Sequence, residues 1–324
     1  MTAITLLDGS VGQELVKRSG DRPTPLWSTQ VMIDHPKLVG EVHLDYFNAG
    51  ATVATTNTYA VLHDRLAPSG QEHLFEKLTD MAVRAARRAR AAAGGRGRVA
   101  GALGPLGASY RPDIFPPHDE ALAAYALPVA AMKAHVDLFL IETVASVDHA
   151  VAALESATGQ GVPVWLAVTV DDADGTKLRS GEDVADLAAT VARFRPEAVL
   201  VNCSRPEVVG PALDILSGFG PATGAYANAF TGISDGFLRD RPTVDALEQR
   251  RDLGPKEYAG FVMGWVAQGA TIVGGCCEVG PDHIREIARA LQAAGHEIVW
   301  APFFLVEAPG SAAAPRSDGC VDVK

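Results

Sequence analysis

A chain of 324 residues, 48% hydrophobic and 21% charged, has the composition of an ordinary globular protein, long enough for one large α/β barrel or two medium domains. Its formal net charge of −11 argues against nucleic acid and anionic membrane as partners and is compatible with a cationic ligand. The N-terminal "MTAITLLDGS" lacks the basic and apolar regions of a signal peptide, and no apolar run is long enough to cross a bilayer, so a cytoplasmic protein with reduced thiols is expected.

Eight short apolar runs follow one another along the chain: "ITLLDG" (4–9), "ATVATTN" (51–57), "RVAGALGP" (98–105), "DLFLIET" (137–143), "PVWLAVTV" (163–170), "AVLVNCS" (198–204), "PATGAYAN" (221–228) and "ATIVGGC" (270–276). Most lack strict alternation, the pattern of strands covered on both faces. Amphipathic segments separate them. "HPKLVGEVHLDYFNAG" ends at Gly50, suited to the position just past a helix, and "EHLFEKLTDMAVRAARRARAAAGG" is a long helix closed by Gly94 and Gly95. "GEDVADLAATVARF" and "GPDHIREIARALQAAG" have the same character, whereas 229–255 reads as a long loop plus a helix.

Eight buried strands alternating with helices predict a single-domain α/β protein, a (β/α)8 TIM barrel, over residues 1–306. An open doubly wound sheet is the alternative, but its Gly-x-Gly-x-x-Gly loop is missing where "DGSVGQEL" follows the first strand. The tail 307–324 is small, polar and Pro-containing, so it is expected to be disordered, with Cys320 an incidental thiol.

Catalytic groups of such a barrel gather where the strands end at their C-terminal side. Polar residues occur at those ends: Asp8-Gly9, Thr56-Asn57, Glu142-Thr143, Asn202-Cys203, Asn228 and Cys276-Cys277. Adjacent cysteines rarely bond to each other, so the pair is either two small buried side chains or a joint ligand. Strands 6 and 8 are separated by one strand, which lets Cys203 meet Cys276 and Cys277 over the barrel mouth. Three thiolates and one open position suit a catalytic zinc, which would hold an incoming thiol as the nucleophilic thiolate. The natural chemistry is alkylation of that thiol by a cationic methyl donor.

The stretches "LLDGS", "LWSTQVMIDHPKLVGEVHLDYFNAGATVATTNTY", "GALGPLG", "IET", "VNCS" and "GGCCEVGPDHIR" resemble the zinc-dependent homocysteine S-methyltransferase family, in order and across residues 4–292. The resemblance implies zinc on Cys203, Cys276 and Cys277, with the homocysteine sulfur completing the tetrahedron. It further implies Asp8 and Glu142 on the substrate ammonium, the amides of Gly9 and Ser10 on its carboxylate, and Asn202 orienting the metal shell. Ser10 stands where a second glycine is common in the family. "AYANAFTGIS" replaces the Tyr-Pro-Asn pattern of many sulfonium-dependent members, which leaves the donor open.

Other residues carry two readings. Asp8 also suits a turn before Gly9. Asn57, Tyr59 and Trp27 are candidates for the donor side, Trp27 through a cation–π face, yet Tyr59 and Trp27 equally suit packing. His43 and His283 are expected at a helix surface or terminus, and Asp282 as a first-turn helix charge. The expected activity is methyl transfer to homocysteine, giving methionine, with S-methylmethionine or S-adenosylmethionine favoured as donor. Betaine and dimethylsulfoniopropionate are alternatives, as is a non-catalytic zinc-thiolate protein; oligomeric state is not legible.

Overall fold

The computed structural model describes residues 1–239 and 243–300. Eight parallel strands stand at the runs read from the sequence: β1 (Ala3–Leu6), β2 (Val53–Thr55), β3 (Arg98–Leu103), β4 (Leu138–Val144), β5 (Val164–Val168), β6 (Ala198–Asn202), β7 (Ala222–Tyr226) and β8 (Ile272–Val273). The order β2-β3-β4-β5-β6-β7-β8-β1 is sequential except where it returns to β1. A parallel bridge between Leu7 and Val53 joins β1 to β2, so the sheet curls into the expected (β/α)8 barrel. A two-residue strand, β9 (Glu297–Ile298), adds to the start of β1 and was not legible in the sequence.

The helices are α1 (Val11–Ser19), α2 (Ser28–Asp34), α3 (Pro36–Ala49), α4 (His63–Leu66), α5 (Phe75–Ala92), α6 (His118–Met132), α7 (Val147–Ala157), α8 (Leu187–Phe194), α9 (Pro206–Leu216), α10 (Pro255–Ala267) and α11 (Pro281–Ala293). Two hydrophobic layers result. Leu7, Val53, Ala100, Leu140, Ala167, Leu200 and Tyr226 fill the barrel interior, while the outward strand faces meet the helices in a larger core. Each strand is therefore covered on both sides, which is why its sequence shows a continuous apolar run. Gly50 adopts φ 112° after α3, as its place past the helix requires. No helix of the described residues is long and apolar enough to cross a membrane.

One histidine expectation is overturned. His43 is fully buried on α3, with neither ring nitrogen bonded to a described residue, and burial pushes its pKa down to about 4. A single polar residue in an apolar stripe left the helix pattern unchanged and so gave no sign of its orientation. His283 does sit at a helix terminus, its Nδ1 accepting from the Gly280 N–H at the start of α11, and Asp282 lies in the first turn. The tail 307–324, with Cys320, lies outside the described residues.

Candidate active site and metal centre

The strand ends are tied together by backbone hydrogen bonds that bring the cysteines to one point. The Cys203 N–H donates to the Tyr226 carbonyl at 3.2 Å, and the Cys276 N–H to the Ala227 carbonyl at 2.9 Å. One residue further, the Ala229 N–H donates to the Cys277 carbonyl at 2.9 Å. The end of β7 thus forms the bridge across which β6 and β8 present their thiols. Gly275 completes the approach, because a Cβ there would lie 2.1 Å from the Val279 side chain.

The three sulfurs all lie within 4.8 Å of one another. A tetrahedral zinc with Zn–S bonds of about 2.3 Å separates its sulfurs by about 3.8 Å, so the donor set fits that ion by number, type and spacing. The pair expected to be reduced is instead joined here: Cys203 and Cys276 form a disulfide, and Cys277 is free. Closeness explains it, since sulfurs that lie within 4.8 Å of one another are near enough for a pair to oxidise. The adjacent residues Cys276 and Cys277 do not bond to each other, as expected for a vicinal pair. The disulfide must be reduced before three thiolates can act together. Burial, and then the nearby carboxylates Glu278 and Glu142, push the Cys277 thiol up to about 12, so without a cation it is neutral.

These cysteines line a cavity of about 230 Å3 together with Asp8, Gly9, Ser10, Trp27, Asn57, Tyr59 and Glu142. Every site residue expected from the sequence is therefore brought to one cavity except Asn202. Asp8 accepts from the Thr55 N–H at 2.6 Å and the Thr55 hydroxyl at 2.8 Å. Its pKa rises to about 8, chiefly through burial, with Thr55 opposing and the charge of Glu142 adding to the rise. Glu142 accepts from the Tyr226 hydroxyl at 2.9 Å, and burial lifts its pKa to about 7 against that bond. Two buried carboxylates whose pKa values burial has raised lose their protons more readily when a cation comes beside them.

Two expectations are corrected. The Ser10 N–H is already committed to the Val279 carbonyl at 2.9 Å, and its hydroxyl accepts from the Gln13 N–H as the cap of α1. Ser10 thus closes a helix and a loop and has no amide left for a carboxylate. Gly9 is needed for the same packing, because a Cβ there would fall 2.0 Å from the Val279 oxygen. Asn202 stands behind the cavity wall. Its side chain accepts from the Thr143 N–H at 3.0 Å and donates to the Thr143 hydroxyl at 3.1 Å, so it holds Thr143 and not the metal shell.

Strain concentrates around the cavity. Among the described residues, Trp27, Tyr110, Thr143 and Cys203 line it with positive φ, and Glu278 follows the cysteine pair at φ 66°. Asn57 donates to the Ser28 carbonyl at 3.3 Å. Trp27 and Tyr59 meet edge to face at 6.2 Å, and the Tyr59 hydroxyl bonds Ser109 at 2.8 Å. The sequence reading missed Thr55, Tyr226, Tyr110 and the apolar cover of Phe230, Phe237, Val244 and Leu247 from the loop after β7. Tyr226 was detectable, since it ends a strand whose other residues are small; the loop residues carried no periodicity.

Comparison with known proteins follows the same geometry. A family model described as homocysteine S-methyltransferase matches residues 5–291. The homocysteine S-methyltransferase of Escherichia coli (strain K12) is 30% identical over 308 residues, covering 88% of this chain and 94% of its own. Homocysteine S-methyltransferase 4 of Zea mays is 28% identical over 319 residues, 90% of each chain. The metallated form of the Escherichia coli homocysteine methyltransferase MmuM aligns with TM-score 0.74 at 29% identity, covering 89% of this chain and 96% of that one. Its oxidized form gives TM-score 0.74 at 28% identity, covering 90% and 96%.

Proposed function

The chain belongs to the homocysteine S-methyltransferase family, and from that premise we propose that it moves a methyl group from a small cationic donor to homocysteine held on a zinc–thiolate centre. The acceptor class comes from the family; the donor and the metal are the proposal. S-methylmethionine and S-adenosylmethionine are the favoured donors, with betaine and dimethylsulfoniopropionate as alternatives. The observation that carries the reading is the meeting of three sulfurs and two buried carboxylates in one cavity.

When bound by Cys203, Cys276 and Cys277, zinc supplies the charge that holds an incoming thiol in its thiolate form at neutral pH. The chain's own residues do the rest. Asp8 and Glu142 receive the homocysteine ammonium, each giving up its proton as the cation arrives, and Tyr226 keeps the Glu142 carboxylate in place. Trp27, Tyr59 and Asn57 form the wall on which the donor's methyl cation rests, so that sulfur and methyl carbon are held in line. Phe230, Phe237, Val244 and Leu247 exclude water that would otherwise solvate the thiolate. The sulfur attacks the methyl carbon, the carbon–sulfonium or carbon–ammonium bond breaks, and the donor leaves as a neutral thioether or amine with methionine as product.

A non-catalytic zinc protein would have no use for two carboxylates with raised pKa values beside its ligands. A cytoplasmic location accords with thiols that must be reduced to act. The test is methionine formation by reduced, zinc-loaded protein across the four donors, with a chelator-treated control. Turnover with one donor, lost on chelation, supports the proposal; none with any donor at one zinc per chain overturns it.

A further inference from the structure

We propose that Arg65 determines donor specificity by binding a carboxylate on the methyl donor, so that the enzyme takes zwitterionic donors and discriminates against methyl cations that lack an anionic end. This rests on the methyl-transfer reading and extends it to the far end of the donor. Among the described residues that line the cavity, the acidic ones are Asp8, Asp64 and Glu142, and Arg65 is the single base. Asp8 and Glu142 account for one cationic group, and the aromatic wall accounts for a second. A donor or acceptor built on an amino acid also brings carboxylates, and the cavity has one guanidinium to meet them.

Arg65 is held in position and left unneutralised. Its Nε and Nη2 donate to the Pro105 carbonyl at 3.3 and 2.8 Å, and Nη2 reaches the Ser109 hydroxyl at 3.5 Å. These are neutral acceptors. Among the described residues no carboxylate pairs with it, whereas Arg179 and Arg250, which are also partly buried, pair with Asp172 and with Glu207 and Asp252. The adjacent Asp64 is turned to backbone, its Oδ1 accepting from the Arg65 N–H at 3.0 Å and its Oδ2 from the Gly107 N–H at 2.5 Å. A fixed, partly desolvated guanidinium held by neutral acceptors and in no salt bridge among the described residues is suited to a carboxylate, which it can engage with paired N–H donors.

The wall leading to it has a consistent polarity. Trp27 lies against Tyr59, whose hydroxyl bonds Ser109, and Ser109 in turn meets Arg65. Along one side of the cavity the lining therefore passes from aromatic faces through two hydroxyls to a cation. That sequence matches a molecule with a methyl cation at one end and a carboxylate at the other. The acceptor's sulfur and ammonium are placed at the cysteines and at Asp8 and Glu142, whereas Arg65, partly buried on α4, joins through Ser109 the Tyr59 side of the cavity that is assigned to the donor.

Calorimetric titration of the reduced, zinc-loaded protein with S-methylmethionine and with trimethylsulfonium tests this without requiring turnover. A charge-assisted pair predicts that the wild type binds S-methylmethionine at least about tenfold more tightly. Arg65→Met should abolish that preference while changing trimethylsulfonium binding by less than about threefold, and Arg65→Lys should retain part of it. Equal binding of the two cations by the wild type, or a preference surviving in Arg65→Met, overturns the proposal. So does a loss confined to homocysteine, which would assign Arg65 to the acceptor. Should Arg65→Met fail to fold, Arg65→Gln is read in the same way. A preference that depends on Arg65 in a protein that forms no methionine would separate this proposal from the methyl-transfer reading.

Discussion

Gln13 donates its side-chain N–H to Glu278 at 2.6 Å, tying the first helix to the residue that follows the cysteine pair. The same amide's oxygen accepts from the Trp27 indole N–H at 2.7 Å, and Glu278 is also paired with Lys17 at 2.6 Å. One side chain thus sets both the aromatic wall and the cysteine loop. Gln13→Ala leaves a buried carboxylate and an indole N–H short of partners. It should destabilise the protein by about 1–3 kcal/mol in urea unfolding and raise KM for the donor while leaving KM for homocysteine nearly unchanged. An unchanged donor KM would show that Trp27 does not need this anchor.

The raised pKa values of Asp8, about 8, and Glu142, about 7, have a consequence for stability. Unfolded carboxylates titrate near pH 4, so from there up to pH 8 the folded, ligand-free protein binds more protons than the unfolded chain. Stability contributed by these groups is therefore greatest at low pH and falls as pH rises through the two folded pKa values. Asp8→Asn and Glu142→Gln should each flatten that fall, measured by denaturation between pH 5 and 8. Homocysteine binding should release protons at pH 7, visible as a buffer-dependent heat. Proton uptake on binding would contradict the assignment.

Removing the hydroxyl of Tyr226 takes from Glu142 the hydrogen bond that opposes its burial. Tyr226→Phe should raise the Glu142 pKa further, move the acid limb of kcat/KM for homocysteine to higher pH and weaken homocysteine binding about tenfold at neutral pH. A pH profile identical to the wild type would mean that Glu142 does not govern it.

Asn202 holds Thr143 at φ 60°, a conformation that a β-branched residue does not adopt unaided. Asn202→Ala should lower stability by about 1–3 kcal/mol and weaken homocysteine binding, because Glu142 is the neighbouring residue. Zinc content by elemental analysis should stay at the wild-type value. Loss of zinc would restore Asn202 to the metal shell.

The barrel was legible because its strands are apolar on both faces, a signal that does not depend on which helix covers them. β8 is the instructive exception: a run of seven residues yields a two-residue strand, after which Gly274 and Gly275 still bond the Ala225 and Asp8 carbonyls while fitting tightly against Leu7 and Val279. The cysteines and the two carboxylates were legible because strand ends converge on one rim. Ser10 and Asn202 were misplaced for a common reason: their partners, Val279 and Thr143, are distant in sequence, and no local pattern states where a hydrogen bond is already spent. Arg65, Gln13 and Glu278 escaped for the same reason. The loop after β7 gave no periodicity, although it supplies the apolar cover.

The most direct measurement of the central claim is transfer of a deuterated methyl group. Nitrogen-15-labelled homocysteine and methyl-deuterated S-methylmethionine would be incubated with the zinc-loaded protein in its reduced form and, separately, with the Cys203–Cys276 disulfide intact, and methionine read by mass spectrometry. The account predicts methionine carrying both the homocysteine nitrogen label and one intact deuterated methyl group with the reduced protein, and none with the oxidised one. Labelled methionine formed equally well by the disulfide form would show that the three thiols do not act together and would contradict it.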